Sequence, residues 1–185
     1  SGDGASLTIA EAAAEILRYR DGSRISVEET FENDRATYSF GAQLATVRVD
    51  PLTAGVTVER FVVAYDIGRA VNPMLVEGQL VGGAVQGIGT ALNEEYIYNK
   101  EGQVDNPGFL DYRMPVASDL PMIDTYIIEI PNPNHPQGVR GVGEVPLVPG
   151  LAAVRNAVYD ALGVRFNDLP MSPPKVVEAL DMAEA

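Results

Sequence analysis

The stretch "SFGAQLATVRVDPLTAGVTVERFVVAYD" (39–66) determines the fold of this chain. Residues 39–50 and 56–66 are rich in β-branched and aromatic residues, which is typical of strands. The five residues "PLTAG" between them contain Pro and Gly and have the length of a hairpin loop. We therefore predict that the two segments pair as an antiparallel hairpin.

The sequence on either side of the hairpin predicts further helices and strands. Thr8 and Glu11 form a capping box in front of a helix at 9–19, and a second helix begins at Pro73. The remaining predicted elements are strands at 24–31, 94–99 and 122–130, a helix at 150–163 that ends at Gly163, and a last helix that begins at Ser172-Pro173. This mixture predicts an α+β fold, in which mixed and antiparallel strands pack with several helices.

The composition excludes several kinds of site. The 185 residues include no cysteine and one histidine, His135, so the chain itself offers no disulfide, no thiolate metal site and no cysteine nucleophile. The net charge of −13, without a cluster of Lys or Arg, disfavours nucleic-acid and anionic-membrane partners. No apolar run reaches the roughly 18 residues of a membrane span. We expect a cytoplasmic protein without a signal peptide.

The helix that begins at Pro73 is unusual because it contains five glycines: Gly78, Gly82, Gly83, Gly87 and Gly89. Each costs about 1 kcal/mol relative to alanine in a helix interior. Close packing against another backbone is the favoured explanation, and contact with a ligand is the alternative. Gln79 and Gln86 are seven residues apart and share one helical face, where their amides could bind a polar ligand. "GGAVQGIG" (82–89) lacks the spacing and the Lys-Ser/Thr of nucleotide-binding loops.

A second unusual segment is "HPQGVRGVGEVPLVPG" (135–150), which has the composition of a constrained loop. Gly141 and Gly143 remove side chains around Glu144, and Pro146 restricts the residue before it to extended geometry. The loop thus presents a single carboxylate, which could serve as a general base. From this motif alone, a glutamate that merely faces water is the favoured interpretation, and His135 is expected to face solvent.

Four stretches occur together in an order that is typical of one family. They are "YDIGRAVNPMLVEGQLVGGAVQGIGTALNEE" (65–95), "PGFLDYRMPVASDLP" (107–121), "HPQGVRGVGEVPLVPGLAAVRNAVYDALG" (135–163) and "LPMSPPKVVEAL" (169–180). Over residues 39–180 the chain resembles the C-terminal, second molybdopterin-binding domain of the xanthine dehydrogenase, aldehyde oxidase and carbon monoxide dehydrogenase large-subunit family. Agreement in order and spacing now favours a catalytic role for Glu144.

The resemblance implies a chemistry and a set of site residues. Members of this family oxidise aldehydes, N-heteroaromatic carbons or carbon monoxide with oxygen from water. Their molybdenum is held by a molybdopterin dithiolene, often in the cytosine dinucleotide form in bacteria, so no residue of this chain is expected to ligate the metal. Glu144 matches the active-site glutamate and would act as the catalytic base. The implied cofactor-binding residues are Gln79, Gly82, Gly83, Gln86, Arg140, Gly141, Val142 and Gly143.

The resemblance also implies partners, because a complete molybdenum subunit of this family is several times longer. Residues 1–38 would continue a preceding domain, and residues 39–185 would form the second molybdopterin-binding domain. The expected partners are the remainder of the molybdenum subunit, an iron–sulfur subunit with 2Fe-2S clusters, a flavin subunit with FAD, and a small-molecule substrate. The chain is either a separately encoded subunit or part of a longer one. The alternative to a molybdenum-dependent oxidoreductase module is a non-catalytic assembly or binding domain of the same fold.

Overall fold

The computed structural model describes residues 6–19, 28–30, 32, 35 and 37–184. The chain divides into two compact units, Ser1–Asp34 and Arg35–Ala185. The predicted domain boundary between residues 38 and 39 stays a prediction. In the first unit, helix α1 (Ile9–Tyr19) is confirmed together with its capping box, in which the backbone N–H of Glu11 donates to the Thr8 hydroxyl at 3.2 Å. The strand predicted at 24–31 lies outside the described residues, apart from 28–30.

The second unit is built on a three-stranded sheet. Its strands β1 (Phe40–Val49), β2 (Val56–Asp66) and β3 (Ile123–Ile128) lie in the order β1-β2-β3. The predicted antiparallel hairpin of β1 and β2 is confirmed, and β3 adds in parallel to β2. Asp50 stabilises the turn because its carboxylate accepts hydrogen bonds from the backbone N–H groups of Leu52 and Thr53.

One face of the sheet is buried beneath two helices. Side chains alternate along β2, so that Phe61, Val63 and Tyr65 point into the core. Helices α2 (Pro73–Leu92) and α3 (Val148–Leu162) supply the opposing side of this core. Their buried contributions are Leu80, Ala84 and Ile88 from α2 and Val154 and Val158 from α3, with Val176 from helix α4 (Pro173–Glu184). The predicted α+β class is confirmed.

The helices of this unit begin and end close to the predicted positions. The Asn72 side chain accepts a hydrogen bond from the backbone N–H of Leu75, and Pro73 follows at the first helical position of α2. Helix α3 ends at Gly163, which has φ of +71° and is the predicted left-handed C-cap. Helix α4 begins at Pro173, as predicted.

The strand predicted at 94–99 is wrong. Only Tyr98 forms a β-bridge, with Val104, across a turn that contains Gly102 at φ of +80°. The reason is that the Asn106 side chain satisfies the backbone of this segment. Its amide oxygen accepts from the N–H of Ile97 at 2.9 Å, and its amide nitrogen donates to the carbonyl of Glu95 at 2.6 Å.

The glycines of α2 fall into two groups. A Cβ on Gly87 would lie 2.9 Å from the carbonyl oxygen of Leu147 and 3.1 Å from Cα of Gly150, so α2 and the start of α3 approach backbone to backbone. A Cβ on Gly83 would lie 2.7 Å from Cβ of Pro146. In the described part of the chain, no atom outside the helix's own backbone lies within 4 Å of a Cβ built on Gly78 or Gly82. Close packing therefore explains why positions 83 and 87 are glycine. It does not explain the glycines at positions 78 and 82. In the part of the chain that the structure describes, no helix is long and apolar enough to cross a membrane.

We predict opposite effects of alanine at the two kinds of glycine. Gly87→Ala should lower the free energy of unfolding by about 1–3 kcal/mol, because the added methyl group forces α2 away from Leu147. Gly78→Ala should raise it by up to about 1 kcal/mol, since alanine favours the helix and meets no neighbour. Urea unfolding followed by circular dichroism measures both. Equal midpoints for the two variants would contradict the close approach.

Candidate active site

The candidate site is formed around residues 138–147, which we call the glutamate loop. The loop lies between the segment after β3 and the start of α3. At its beginning, the backbone N–H of Arg140 donates to the carbonyl of Ile67, just after β2, at 2.9 Å. The nearby carboxylate of Asp66 accepts from the N–H groups of Gly68 and Ile130 at 3.0 and 3.1 Å. The end of β2 therefore positions the start of the loop.

The Arg140 side chain strengthens this attachment. Its Nη1 donates to the carbonyl of Tyr38 at 2.8 Å, and its guanidinium carbon lies 5.7 Å from the centre of the Phe40 ring. Its Nε lies 3.5 Å from Oδ2 of Asp66, and the two side chains are only 13% and 10% exposed. Nε is buried and makes no hydrogen bond among the described residues, so the contact with Asp66 is an ion pair without a hydrogen bond. The side-chain contacts of Arg140 are thus with other residues of this chain, and its predicted role in cofactor binding stays a prediction.

Three hydrogen bonds fix the loop on both sides of Glu144. Before it, the Ser39 hydroxyl donates to the carbonyl of Gly141. After it, the Tyr65 hydroxyl donates to the carbonyl of Val145 at 2.7 Å, and Nε2 of Gln43 donates to the carbonyl of Pro146 at 2.6 Å. All three donors belong to β1, β2 or the residue that precedes β1. The hairpin therefore holds the backbone that carries Glu144.

Tyr65 remains a hydrogen-bond donor at neutral pH. Burial raises the pKa of its hydroxyl, and the neighbouring side-chain amide of Gln43 opposes this effect only in part. Its ring crosses Gly41, its partner on β1, where a Cβ would lie 2.3 Å from the ring. Only glycine at position 41 leaves room for the ring to reach the glutamate loop.

The Glu144 side chain contrasts with its fixed backbone. It is exposed, and its carboxylate makes no hydrogen bond or ion pair to any residue that the structure describes. Its carbonyl accepts from the N–H of Leu147 at 3.1 Å, which tightens the turn that follows. The geometry thus presents an unpaired carboxylate on a backbone that is held in place.

A groove of about 230 Å³ lies beside the loop. Gln79 from α2 and Arg140 and Val142 from the loop line it, with mainly apolar neighbours. Gln79 reaches the loop, because a Cβ built on Gly143 would lie 3.5 Å from its Oε1. The structure therefore brings together residues that are about sixty positions apart in sequence, as the resemblance requires of a shared site.

An open surface continues from the groove along α2. We call it the open face and define it by Gly78, Gln79, Gly82 and Gln86, which are all exposed, and by Gly141 in the loop. Apart from the adjoining backbone, no atom of a described residue lies within 4 Å of a Cβ built on Gly78, Gly82 or Gly141. Within the described part of the chain, the side-chain amides of Gln79 and Gln86 make no hydrogen bond. Such a face leaves backbone and amide groups accessible to an external polar group.

The predicted cofactor residues therefore occupy different environments. Gln79, Gly82, Gln86 and Gly141 lie on the open face, and Gly143 is exposed beside Gln79. Val142 is partly buried against the core, and Gly83 is buried against Pro146. The contacts of Gly83 and Val142 are internal, and direct cofactor binding by them stays a prediction.

Sequence reasoning missed Ser39, Gln43, Tyr65 and Asp66. Gln43 carries a signal that could have been found. It is polar, yet it lies two residues before Ala45 and four before Val47, on the same inward side of β1. Ser39 and Tyr65 carry no local signal, since their partners lie more than sixty residues away. Asp66 has one local partner, the N–H of Gly68, but its contacts with Ile130 and Arg140 also join it to residues more than sixty positions away. No group of three or more His, Asp or Glu side chains that could hold a metal ion occurs among the described residues.

The chain is similar to known molybdenum-binding proteins. A family model described as a molybdopterin cofactor-binding domain matches residues 2–121. The xanthine dehydrogenase molybdenum-binding subunit of Escherichia coli O157:H7 is 39% identical over 163 residues, which cover 88% of this chain and 22% of that protein. The nicotine 6-hydroxylase large subunit of Paenarthrobacter nicotinovorans is 40% identical over 154 residues, or 82% of this chain and 19% of that protein.

Solved structures show the same relationship. The crystal structure of quinoline 2-oxidoreductase from Pseudomonas putida 86 superposes with a TM-score of 0.73 at 35% identity, covering 76% of this chain and 18% of that one. The chain thus spans about a fifth of the length of the relatives that it matches. The match to the family model ends at residue 121, before the glutamate loop. The similarity to the xanthine dehydrogenase subunit covers 88% of the chain and includes the glutamate loop.

We predict that the buried ion pair stabilises the site far more than an exposed one does. Asp66→Asn keeps an acceptor for Gly68 and Ile130 but removes the negative charge that faces Arg140, so it should lower the free energy of unfolding by about 3 kcal/mol. The control Asp124→Asn breaks the exposed pair with Arg60 and should cost less than about 1 kcal/mol.

Chemical denaturation of both variants measures this difference. Hydrogen exchange should also accelerate at the N–H of Arg140 in the Asp66 variant and stay unchanged in the Asp124 variant. Equal destabilisation by the two substitutions would contradict the role given to Asp66.

Proposed function

This chain belongs to the molybdopterin cofactor-binding domain family, and from that premise we propose that it forms part of the active site of a molybdenum-dependent hydroxylase. The proposed reaction is the oxidation of an aldehyde, an N-heteroaromatic compound or a carbon monoxide-like substrate with oxygen from water. Glu144 is the proposed general base. The single observation that carries the proposal is its exposed, unpaired carboxylate, presented on a fixed backbone next to the open face.

The open face fits a molybdopterin. Such a group is polar and carries many hydrogen-bond donors and acceptors, which suit the unpaired amides of Gln79 and Gln86. Among the described residues, no side chain lies near a Cβ built on Gly82 or Gly141, and the Gln79 amide is the neighbour of Gly143, so a flat ligand can approach this backbone closely. We propose that these residues contact the cofactor directly. Gly83, Arg140 and Val142 would contribute from behind, by holding α2 and the loop at the required separation.

When bound, the cofactor supplies the redox chemistry that transfers a water-derived oxygen to the substrate. The role of this chain is to orient the groups around that reaction and to move a proton. The Glu144 carboxylate accepts the proton that the attacking oxygen must lose, which is general-base catalysis. Because no described residue hydrogen-bonds to the carboxylate, its oxygens are available to accept that proton.

We also propose partners for the chain. The relatives are about five times longer than the segment matched here, so the remainder of a molybdenum subunit would complete the site and cover Glu144. An iron–sulfur subunit with 2Fe-2S clusters and a flavin subunit with FAD would carry the electrons away. The cytosine dinucleotide form of the cofactor and a cytoplasmic location belong to the same proposal. Xanthine, nicotine, quinoline and aldehydes are the first substrates to test, after the reactions of the relatives.

The first prediction concerns Gln79. In the assembled molybdenum subunit, Gln79→Ala should weaken cofactor binding by about 1–3 kcal/mol, because a polar atom of the cofactor loses its partner. Molybdenum and pterin content after extensive dialysis is the measurement. Gln103→Ala, an exposed glutamine remote from the open face in sequence, is the control and should retain both. Equal molybdenum and pterin contents in the two variants would show that Gln79 does not bind the cofactor.

The second prediction concerns Glu144. Glu144→Gln preserves size but cannot accept the proton, so turnover should fall by about 10²–10⁴-fold while molybdenum content stays unchanged. Glu101→Gln, in an exposed turn, serves as the control.

The assay uses the assembled complex with the first of xanthine, nicotine, quinoline or an aldehyde that the wild type oxidises. Near-normal turnover of the Glu144 variant would show that this residue is not the base. Absence of both molybdenum and turnover in the wild-type complex would favour the alternative, a non-catalytic domain of the same fold.

A further inference from the structure

We infer that Tyr65 and Gln43 are positioning residues that hold the Glu144 carboxylate in its reactive position through the carbonyls of Val145 and Pro146. The inference rests on the proposed function, since it takes Glu144 as the base. Neither residue would touch the substrate or the cofactor. Both would act through the backbone of the glutamate loop.

The first support is the arrangement of the hydrogen bonds. The two carbonyls that directly follow Glu144 each accept one hydrogen bond from the hairpin, at 2.7 Å from Tyr65 and 2.6 Å from Gln43. On the other side, the carbonyl of Gly141 accepts from Ser39. The chain between Gly141 and Val145 is therefore held at both ends. This restricts the direction in which the Cα–Cβ bond of Glu144 points.

The second support is the freedom of the Glu144 side chain itself. Its carboxylate makes no hydrogen bond or ion pair with any described residue. Among the described residues, no hydrogen bond or ion pair therefore orients it, and the backbone is what restricts where its side chain begins. Loss of a backbone hydrogen bond next to Glu144 should then displace the carboxylate directly.

The third support is that the hairpin accommodates these two side chains at a cost. Gly41 lies opposite Tyr65, and any larger residue there would overlap the ring. Gln43 places an amide on the buried side of β1, and its Oε1 is buried without a hydrogen-bond partner among the described residues. Stability alone would favour an apolar side chain at this position. Polar residues that cost stability are expected where they position a functional site.

The experiment compares Tyr65→Phe with Glu144→Gln in the assembled complex, with the substrate identified for the wild type. Tyr65→Phe removes only the hydroxyl that binds Val145. We expect kcat, corrected for molybdenum content, to fall by about tenfold or more, because small displacements of a reacting group cost orders of magnitude in rate. KM should stay within about twofold. Tyr126→Phe, 55% exposed on the opposite face of the sheet, is the matched control and should keep the wild-type kcat.

The double variant separates positioning from a general structural effect. If Tyr65 acts through Glu144, adding Tyr65→Phe to Glu144→Gln should cause no further loss of turnover. Losses that multiply, or a Tyr65→Phe enzyme with wild-type kcat, would overturn the inference and leave the proposed function intact. Near-normal turnover of Glu144→Gln alone would instead overturn the proposed function.

A second measurement does not depend on turnover. Hydrogen exchange at the backbone N–H of Leu147, which donates to the carbonyl of Glu144 at 3.1 Å, should be about tenfold faster in Tyr65→Phe than in Tyr126→Phe, because one end of the loop is released. Gln43→Met, which removes the bond to Pro146 and keeps the length of the side chain, should give the same exchange and kinetic pattern. Unchanged exchange in both the Tyr65 and Gln43 variants would also overturn the inference.

Discussion

The arrangement of the site depends on the contacts that the Asp66 carboxylate makes with three other segments of the chain. This carboxylate lies at the end of β2 and is almost fully buried. One oxygen accepts from Gly68 and Ile130, and the other faces the guanidinium of Arg140. Three chain segments thus meet at one residue: the turn before α2, the segment after β3 and the start of the glutamate loop. A buried charge with three partners has little freedom to move, because any displacement leaves a polar group unsatisfied.

The elements that could be predicted from the sequence are those whose determinants are local. The hairpin follows from two strand patterns and a turn that Asp50 closes within three residues. The ends of α3 and α4 follow from Gly163 and Pro173. The segment 94–99 was predicted wrongly because its partner is the side chain of Asn106, not a neighbouring strand. The parallel addition of β3 to β2 depends on a contact between segments about sixty residues apart, which no local pattern specifies.

The same distinction applies to the site. Helical spacing was sufficient to place Gln79 and Gln86 on one face, and both are exposed there. Helical spacing could not show which of two adjacent glycines is packed and which is open. Gly82 and Gly83 differ by one position, or about 100° around the helix. Only the position of the glutamate loop determines that Gly83 is covered by Pro146 and that Gly82 is open. The rotation of a helix against its neighbours is a tertiary property, so the sequence indicated which residues were candidates and the fold divided them between packing and the open face.

Fixing a base by its backbone suits the chemistry of proton transfer. A carboxylate held by hydrogen bonds from protein donors would be stabilised as the anion, and those donors would compete with the proton that it must accept. A carboxylate without any restraint would lose the benefit of orientation. The glutamate loop avoids both outcomes, because Tyr65, Gln43 and Ser39 bind carbonyl oxygens and leave the carboxylate of Glu144 free. In the proposed function, the hairpin therefore restricts the direction of the Cα–Cβ bond of Glu144 without hydrogen-bonding to its carboxylate oxygens.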